Sequence, residues 1–127
     1  MGYAIVFLGA GIGGALRHGV NVGSARLFGY GFPFGTLIVN VAGSLLIGLL
    51  AGYFLARPGV PQDMRLFLTT GILGGFTTFS AFSLDTALLI ERNALVLAAA
   101  YVIGSVVTAV AALFLGLALF RSGGQLP

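Results

Sequence analysis

Phe79 and Phe82 stand three residues apart, and Ser80 and Ser83 repeat that interval beside them. On a helix this spacing sets two side chains about 60° apart, so both rings share one face. A phenyl ring has a positive edge, and such an edge can meet a small anion that has shed its water. The same pair would equally suit contact with lipid or with a neighbouring helix. Just upstream, Gly71-Ile72-Leu73-Gly74-Gly75-Phe76-Thr77-Thr78 brings glycines and paired β-branched hydroxyl residues into the middle of an apolar run. Each glycine weakens a helix by about 1 kcal/mol. Two arrangements satisfy the stretch: a continuous helix with a notch for a close neighbour, or an unwound turn that frees backbone carbonyls and amides. Groups freed at membrane depth must be buried in protein or must coordinate something.

Two further stripes carry donors. Thr36, Asn40 and Ser44 recur every four residues, and Tyr101, Ser105 and Thr108 fall at i, i+4 and i+7. Asn40 is the most polar member, with two amide hydrogens and a carbonyl; it suits either an interhelical hydrogen bond or donation to an ion. None of these stripes includes a carboxylate, which favours an uncharged or anionic permeant over a cation. A proton-coupled antiporter needs a titratable group near the membrane middle. Asp85 is the only internal acid, and its position near Glu91 and Arg92 predicts a helix-end ion pair or snorkelling. His18, beside Arg17, reads as structural. No nucleophile–base pair or metal-ligand cluster is present, and Gly9-Ala10-Gly11-Ile12-Gly13-Gly14 lacks the strand and lysine of a nucleotide site. The chain is not expected to be an enzyme.

These residues must be positioned by membrane helices. Of 127 residues, 58% are hydrophobic and 7% charged, and the mean hydropathy is +1.09. Soluble domains carry about 25% charge, so a water-soluble globule is excluded. About 20 apolar residues span a bilayer, and four runs qualify: 2–28, 34–56, 64–90 and 94–120, together forming a single domain over 1–127. Short connections make neighbouring spans antiparallel. The 21 glycines include small-residue faces at four-residue spacing: Gly9 with Gly13, Ser44 with Gly48 and Gly52, Gly71 with Gly75, and Gly104 with Thr108. Such faces let helices approach closely and lend some support to oligomerisation. With no cysteine, disulfides and thiolate metal sites are excluded.

Six arginines against three acids give a net charge of +3. They are dispersed, so nucleic acid is not an expected partner. One membrane side receives Arg57, Arg65 and Arg121, and the other Arg26 and Arg92, with Arg17 inside the first span. Orientation normally follows an excess of positive charge on one side. The near balance here predicts insertion in both directions and pairing as an antiparallel two-fold dimer.

Three stretches carry a resemblance: Gly13-Gly14-Ala15-Leu16-Arg17, Gly35-Thr36-Leu37-Ile38-Val39-Asn40-Val41-Ala42-Gly43-Ser44, and Gly74-Gly75-Phe76-Thr77-Thr78-Phe79-Ser80-Ala81-Phe82-Ser83. The chain resembles the Fluc/CrcB family of small fluoride channels along essentially its whole length. The resemblance implies an all-α integral membrane protein with four transmembrane helices per subunit and a broken third helix, paired as an antiparallel, dual-topology homodimer with two pores. It implies passive export of cytoplasmic fluoride, protecting the cell, from a multi-pass position among the lipids of a prokaryotic inner (plasma) membrane. A structural Na⁺ at the dimer centre would be held by the backbone carbonyls of Gly74 and Thr77. Phe79 and Phe82 would line each pore with their ring edges, and Asn40 would donate to the ion. Ser80, Thr36, Tyr101 and Ser105 would form a polar track, and Arg17 would lie near the aqueous vestibule. Members can carry a hydroxyl one turn after Ser105, where this chain has Ala109; Thr108 is a candidate substitute.

Two other functions compete. A small multidrug-type exporter would also be a dual-topology four-helix dimer, but it needs a carboxylate in its first span, where this chain has none. A non-transporting membrane assembly protein would use the glycine faces for packing alone.

Overall fold

The computed structural model describes residues 1–120; the expected anchor Arg121 lies outside the described residues. Helix α1 is Gly2–Phe28 and α2 is Phe34–Ala56. Helix α3, residues 62–76, is composite: a turn at Gln62–Arg65, a π-helical stretch at Leu66–Leu73, and a last turn at Gly74–Phe76. Helices α4, Phe79–Glu91, and α5, Leu95–Phe120, complete the described chain. The third apolar segment starts at Gln62, ahead of the expected Met64, because Pro61 takes the boundary position and its carbonyl accepts from Met64 and Arg65. Among the described residues, four segments are helical, long and apolar enough to cross a membrane, so the protein is a helical, multi-pass membrane protein.

Chain reversals use local chemistry. Helix α1 ends where Gly29 takes φ 77 and donates its N–H to the Ala25 carbonyl. Asn93, at φ 62, turns the chain between α4 and α5; a short polar side chain tolerates this left-handed region. At the opposite end, the Arg65 guanidinium donates to the carbonyls of Arg57, Pro58 and Val60 and lies over the Phe54 ring. Arg57 lies over Tyr53.

Packing divides into two close helix pairs. Helix α1 crosses α3 backbone to backbone: a Cβ on Gly9 would stand 2.8 Å from the Gly71 Cα, one on Gly13 2.0 Å from the Ile72 carbonyl oxygen, and one on Gly75 2.5 Å from the Ala10 carbonyl oxygen. Helix α2 lies against α5 in the same way, with Gly48 under the Leu113 carbonyl and Gly116 against that of Leu45. The small-residue faces, expected to aid oligomerisation, are thus largely used inside one chain. Gly104 is the exception, with nothing within 4 Å of an added Cβ.

The buried core is thin. Val39, Leu73, Leu89, Ala98 and Tyr101 are its hydrophobic members, while Phe7, Val96 and Phe114 point outward. Lipid is as apolar as a leucine-lined interior, so such residues gain little by turning inward. Close glycine contact and dispersion therefore hold the pairs together.

A measurable asymmetry follows. Gly13→Ala should lower the thermal unfolding midpoint in detergent, because backbone blocks the new methyl and overpacking costs about 1–3 kcal/mol. Gly14→Ala, with nothing within 4 Å, should leave the midpoint unchanged or raise it through better helix propensity. Equal midpoints for the two variants would contradict the crossing.

Candidate functional site

Between α3 and α4 the backbone leaves helical geometry at two residues. Thr77 has φ −86 and ψ 158, and Thr78 has φ −155 and ψ 123. Thr77 still closes the upstream turn, its N–H and its Oγ1 both donating to the Leu73 carbonyl at 3.0 Å. Thr78 is held from α2 instead. Its N–H donates to Asn40 Oδ1 at 2.8 Å, and its carbonyl accepts from Asn40 Nδ2 at 2.9 Å. Thr78 Oγ1 then accepts from the Ala81 N–H at 3.1 Å and caps α4. Threonine is a favoured cap because its hydroxyl satisfies an orphan amide. Gly43 makes room for this arrangement, since a Cβ there would stand 2.2 Å from Thr77 Cγ2.

The diverted amides have a consequence. In a continuous helix the Thr78 N–H would close on the Gly74 carbonyl, and the Ala81 N–H on that of Thr77. Here those donors are committed to Asn40 and to the Thr78 hydroxyl. The Gly74 and Thr77 carbonyls thereby lose their usual helical partners.

A cavity of about 220 Å³ opens beside this segment. Asn40, Ser44, Phe79, Phe82 and Ser105 line it with the two threonines, and Val106 and Ala109 complete the wall. The Phe79 and Phe82 ring centroids are 5.6 Å apart, with planes tilted by 42°. Phe79 is 78% exposed in the single chain. Ser105 is buried, and its Oγ has no hydrogen-bond partner among the described residues. A buried hydroxyl left unpaired costs about 1–3 kcal/mol.

The other residues singled out in the sequence are distributed differently. Tyr101 is 1% exposed; its ring packs against Phe82 at 5.1 Å and meets Phe32 edge-on at 5.4 Å. Its hydroxyl donates to Asp85 Oδ2 at 3.1 Å. This corrects the expectation for Asp85, which the tyrosine holds, while the Arg92 guanidinium donates to the Gly31 carbonyl. Thr36 is buried and, with Asp85, lines a separate cavity at the α1–α2 loop end. Ser80 is exposed, its Oγ 3.3 Å from Thr78 Oγ1. Arg17 is half-buried and lines neither described cavity.

Thr108 does not extend the track beyond Ser105: it is exposed and its hydroxyl donates back to the Gly104 carbonyl at 2.6 Å. Ser83 likewise donates to the Phe79 carbonyl. Asn40 spends its carbonyl and one amide hydrogen on Thr78, which leaves one amide hydrogen at the cavity. The roles of Thr78 as the clamped residue and Gly43 as its notch were not singled out from sequence. The only signal was their membership in the two conspicuous stretches.

Four apolar spans and a cavity lined by hydroxyls, an amide and two phenyl rings define a small polytopic membrane protein whose polar surface lies between helices. The family profile described as "CrcB-like protein, Camphor Resistance (CrcB)" matches residues 4–117. The chain belongs to this CrcB family. A Methylobacterium sp. (strain 4-46) protein named "Fluoride-specific ion channel FluC" is 62% identical over 120 residues, covering 94% of this chain and 96% of its own. Proteins of the same name from Rhodopseudomonas palustris (strain BisB5) and Agrobacterium fabrum (strain C58 / ATCC 33970) are 59% and 54% identical. Those alignments cover 96% and 94% of this chain, and 98% and 95% of the relatives.

Proposed function

We propose that this protein is a fluoride-selective channel that lets cytoplasmic fluoride leave the cell passively. The observation that carries the reading is the unpartnered, buried Ser105 hydroxyl in a cavity shared with Phe79, Phe82 and the free Asn40 amide hydrogen. Fluoride is small and strongly hydrated, so a selective path has to replace its water with fixed donors. Hydroxyl and amide hydrogens supply hydrogen bonds, and phenyl edges supply positive potential without a mobile counter-charge. Ser80, Thr36 and Tyr101 extend the polar path on either side, and Arg17 belongs to its vestibule. An inside-negative potential drives export, at about 2.3 kcal/mol per charge per 100 mV. Fluoride that has crossed as neutral HF and dissociated inside is drained without nucleotide or proton coupling.

Two copies in opposite orientations form the working unit, an antiparallel homodimer with two pores in a prokaryotic inner membrane. The balanced arginines support this reading. Arg57 and Arg65 lie at one end of the spans and Arg26 and Arg92 at the other, so loop charge selects no orientation. The high exposure of Phe79 fits a ring completed by a second copy. The Thr77–Thr78 segment is the break in the third transmembrane helix. Its neutral, hard-oxygen Gly74 and Thr77 carbonyls, relieved of their helical donors, suit an alkali cation such as Na⁺. Such an ion would supply positive charge that ties the breaks together.

The test is fluoride efflux from liposomes containing the purified protein. Rapid release of fluoride but not chloride, with no proton gradient imposed, is expected. Vesicles that hold fluoride as tightly as protein-free ones would overturn the proposal. Fluoride silence combined with drug transport would instead identify an exporter.

A further inference from the structure

The larger cavity, about 380 Å³, lies at the α1–α2 loop end and shares no lining residue with the cavity around Ser105. One acid and one base line it, Asp85 and Arg92, beside the Tyr30 phenol. They are seven residues apart along α4 and its cap, roughly 10 Å by helical rise. Arg92 stands at the outer end and Asp85 deeper. The deeper carboxylate accepts from the Tyr101 hydroxyl, itself a neutral partner, so positive potential belongs to the outer end of the cavity alone. The Arg92 guanidinium is tethered through the Gly31 carbonyl, a neutral partner that leaves its charge uncompensated. Arg26 and Glu91, also at this end, line no part of the cavity. Gly35 and Thr36, in the first turn of α2, line the wall, and that helix start has no side-chain cap. A helix N-terminus adds positive potential of its own.

We infer that this cavity is an anion-collecting mouth whose charge is supplied by Arg92, held in place by the α1–α2 loop. A tethered cation exposed on a concave wall raises the local concentration of small anions, and salt screens the effect. The inference rests on the fluoride reading for its biological use, but the electrostatics can be measured without it. Because the chain has no cysteine, Leu88→Cys places a single thiol on the cavity wall, between Asp85 and Arg92 and exposed.

The experiment compares labelling rates of that thiol in detergent-solubilised full-length protein. The probes are the anionic sulfonatoethyl and the cationic trimethylammonioethyl methanethiosulfonates. Adding Arg92→Gln should lower the anionic-to-cationic rate ratio about fivefold at low ionic strength, with the difference vanishing at 1 M salt. Arg92→Lys should retain most of the ratio. A ratio unchanged by Arg92→Gln would overturn the inference. So would a change that persists at high salt or appears equally in Arg92→Lys, since either would mark a loop displacement rather than a charge. If the ratio behaves as stated while wild-type vesicles retain fluoride, the fluoride reading fails and the anion mouth stands. If fluoride flows but the ratio does not respond, only the mouth fails.

Discussion

Asn40→Asp is expected to reduce fluoride efflux from reconstituted vesicles by about a hundredfold or more. One carboxylate oxygen can still accept from the Thr78 N–H, but the other replaces the amide that donates to the Thr78 carbonyl at 2.9 Å. Two acceptors then face each other in a part-buried site, and leaving a carbonyl unsatisfied there costs about 1–3 kcal/mol. The segment that positions Phe79 and frees the Gly74 and Thr77 carbonyls loses one of its two hydrogen bonds to α2. The buried negative charge also repels the proposed permeant directly, and 2.7 kcal/mol corresponds to about a hundredfold in rate. Efflux and the unfolding midpoint, measured on the same preparation, check both consequences. Unchanged efflux would remove Asn40 from the pathway.

Phe82→Ile and Phe79→Ile should each cut efflux by at least about tenfold while the protein still folds. Isoleucine keeps an apolar side chain but lacks the ring quadrupole, so the positive edge is lost while burial is largely retained. The two sites differ in what else they touch. Phe82 packs on Tyr101, so its substitution also disturbs the ring that holds Asp85, with a modest drop in midpoint. Phe79 is 78% exposed in the single chain, so its substitution costs the subunit little stability. Loss of flux at Phe79 with an unchanged midpoint is therefore the sharper test. Wild-type flux in both variants would show that ring edges do not recognise the ion.

Much of the architecture was legible because lipid simplifies the problem. In a solvent that offers backbone groups no hydrogen bonds, long apolar runs must become helices. Hydropathy therefore determined the number of membrane-crossing segments, and charge scarcity excluded a soluble fold. Gly29 and Asn93 fall in gaps between the expected spans, whereas the part of Pro61 in starting the third segment at Gln62 was not read from sequence. The two conspicuous polar stretches come together, Asn40 on α2 meeting Thr78 between α3 and α4.

What depended on tertiary structure was how each polar group is spent. Helical periodicity placed Tyr101, Ser105 and Thr108 on one face, yet the first is committed to Asp85, the second is unpartnered and the third turns back on Gly104. A hydroxyl on a helix chooses between its own carbonyl and a neighbouring element, and that choice depends on what packs alongside. The sequence likewise showed glycine faces without their partners. The close approach of α1 to α3, and of α2 to α5, is set by shape matching between distant segments, which no local pattern encodes.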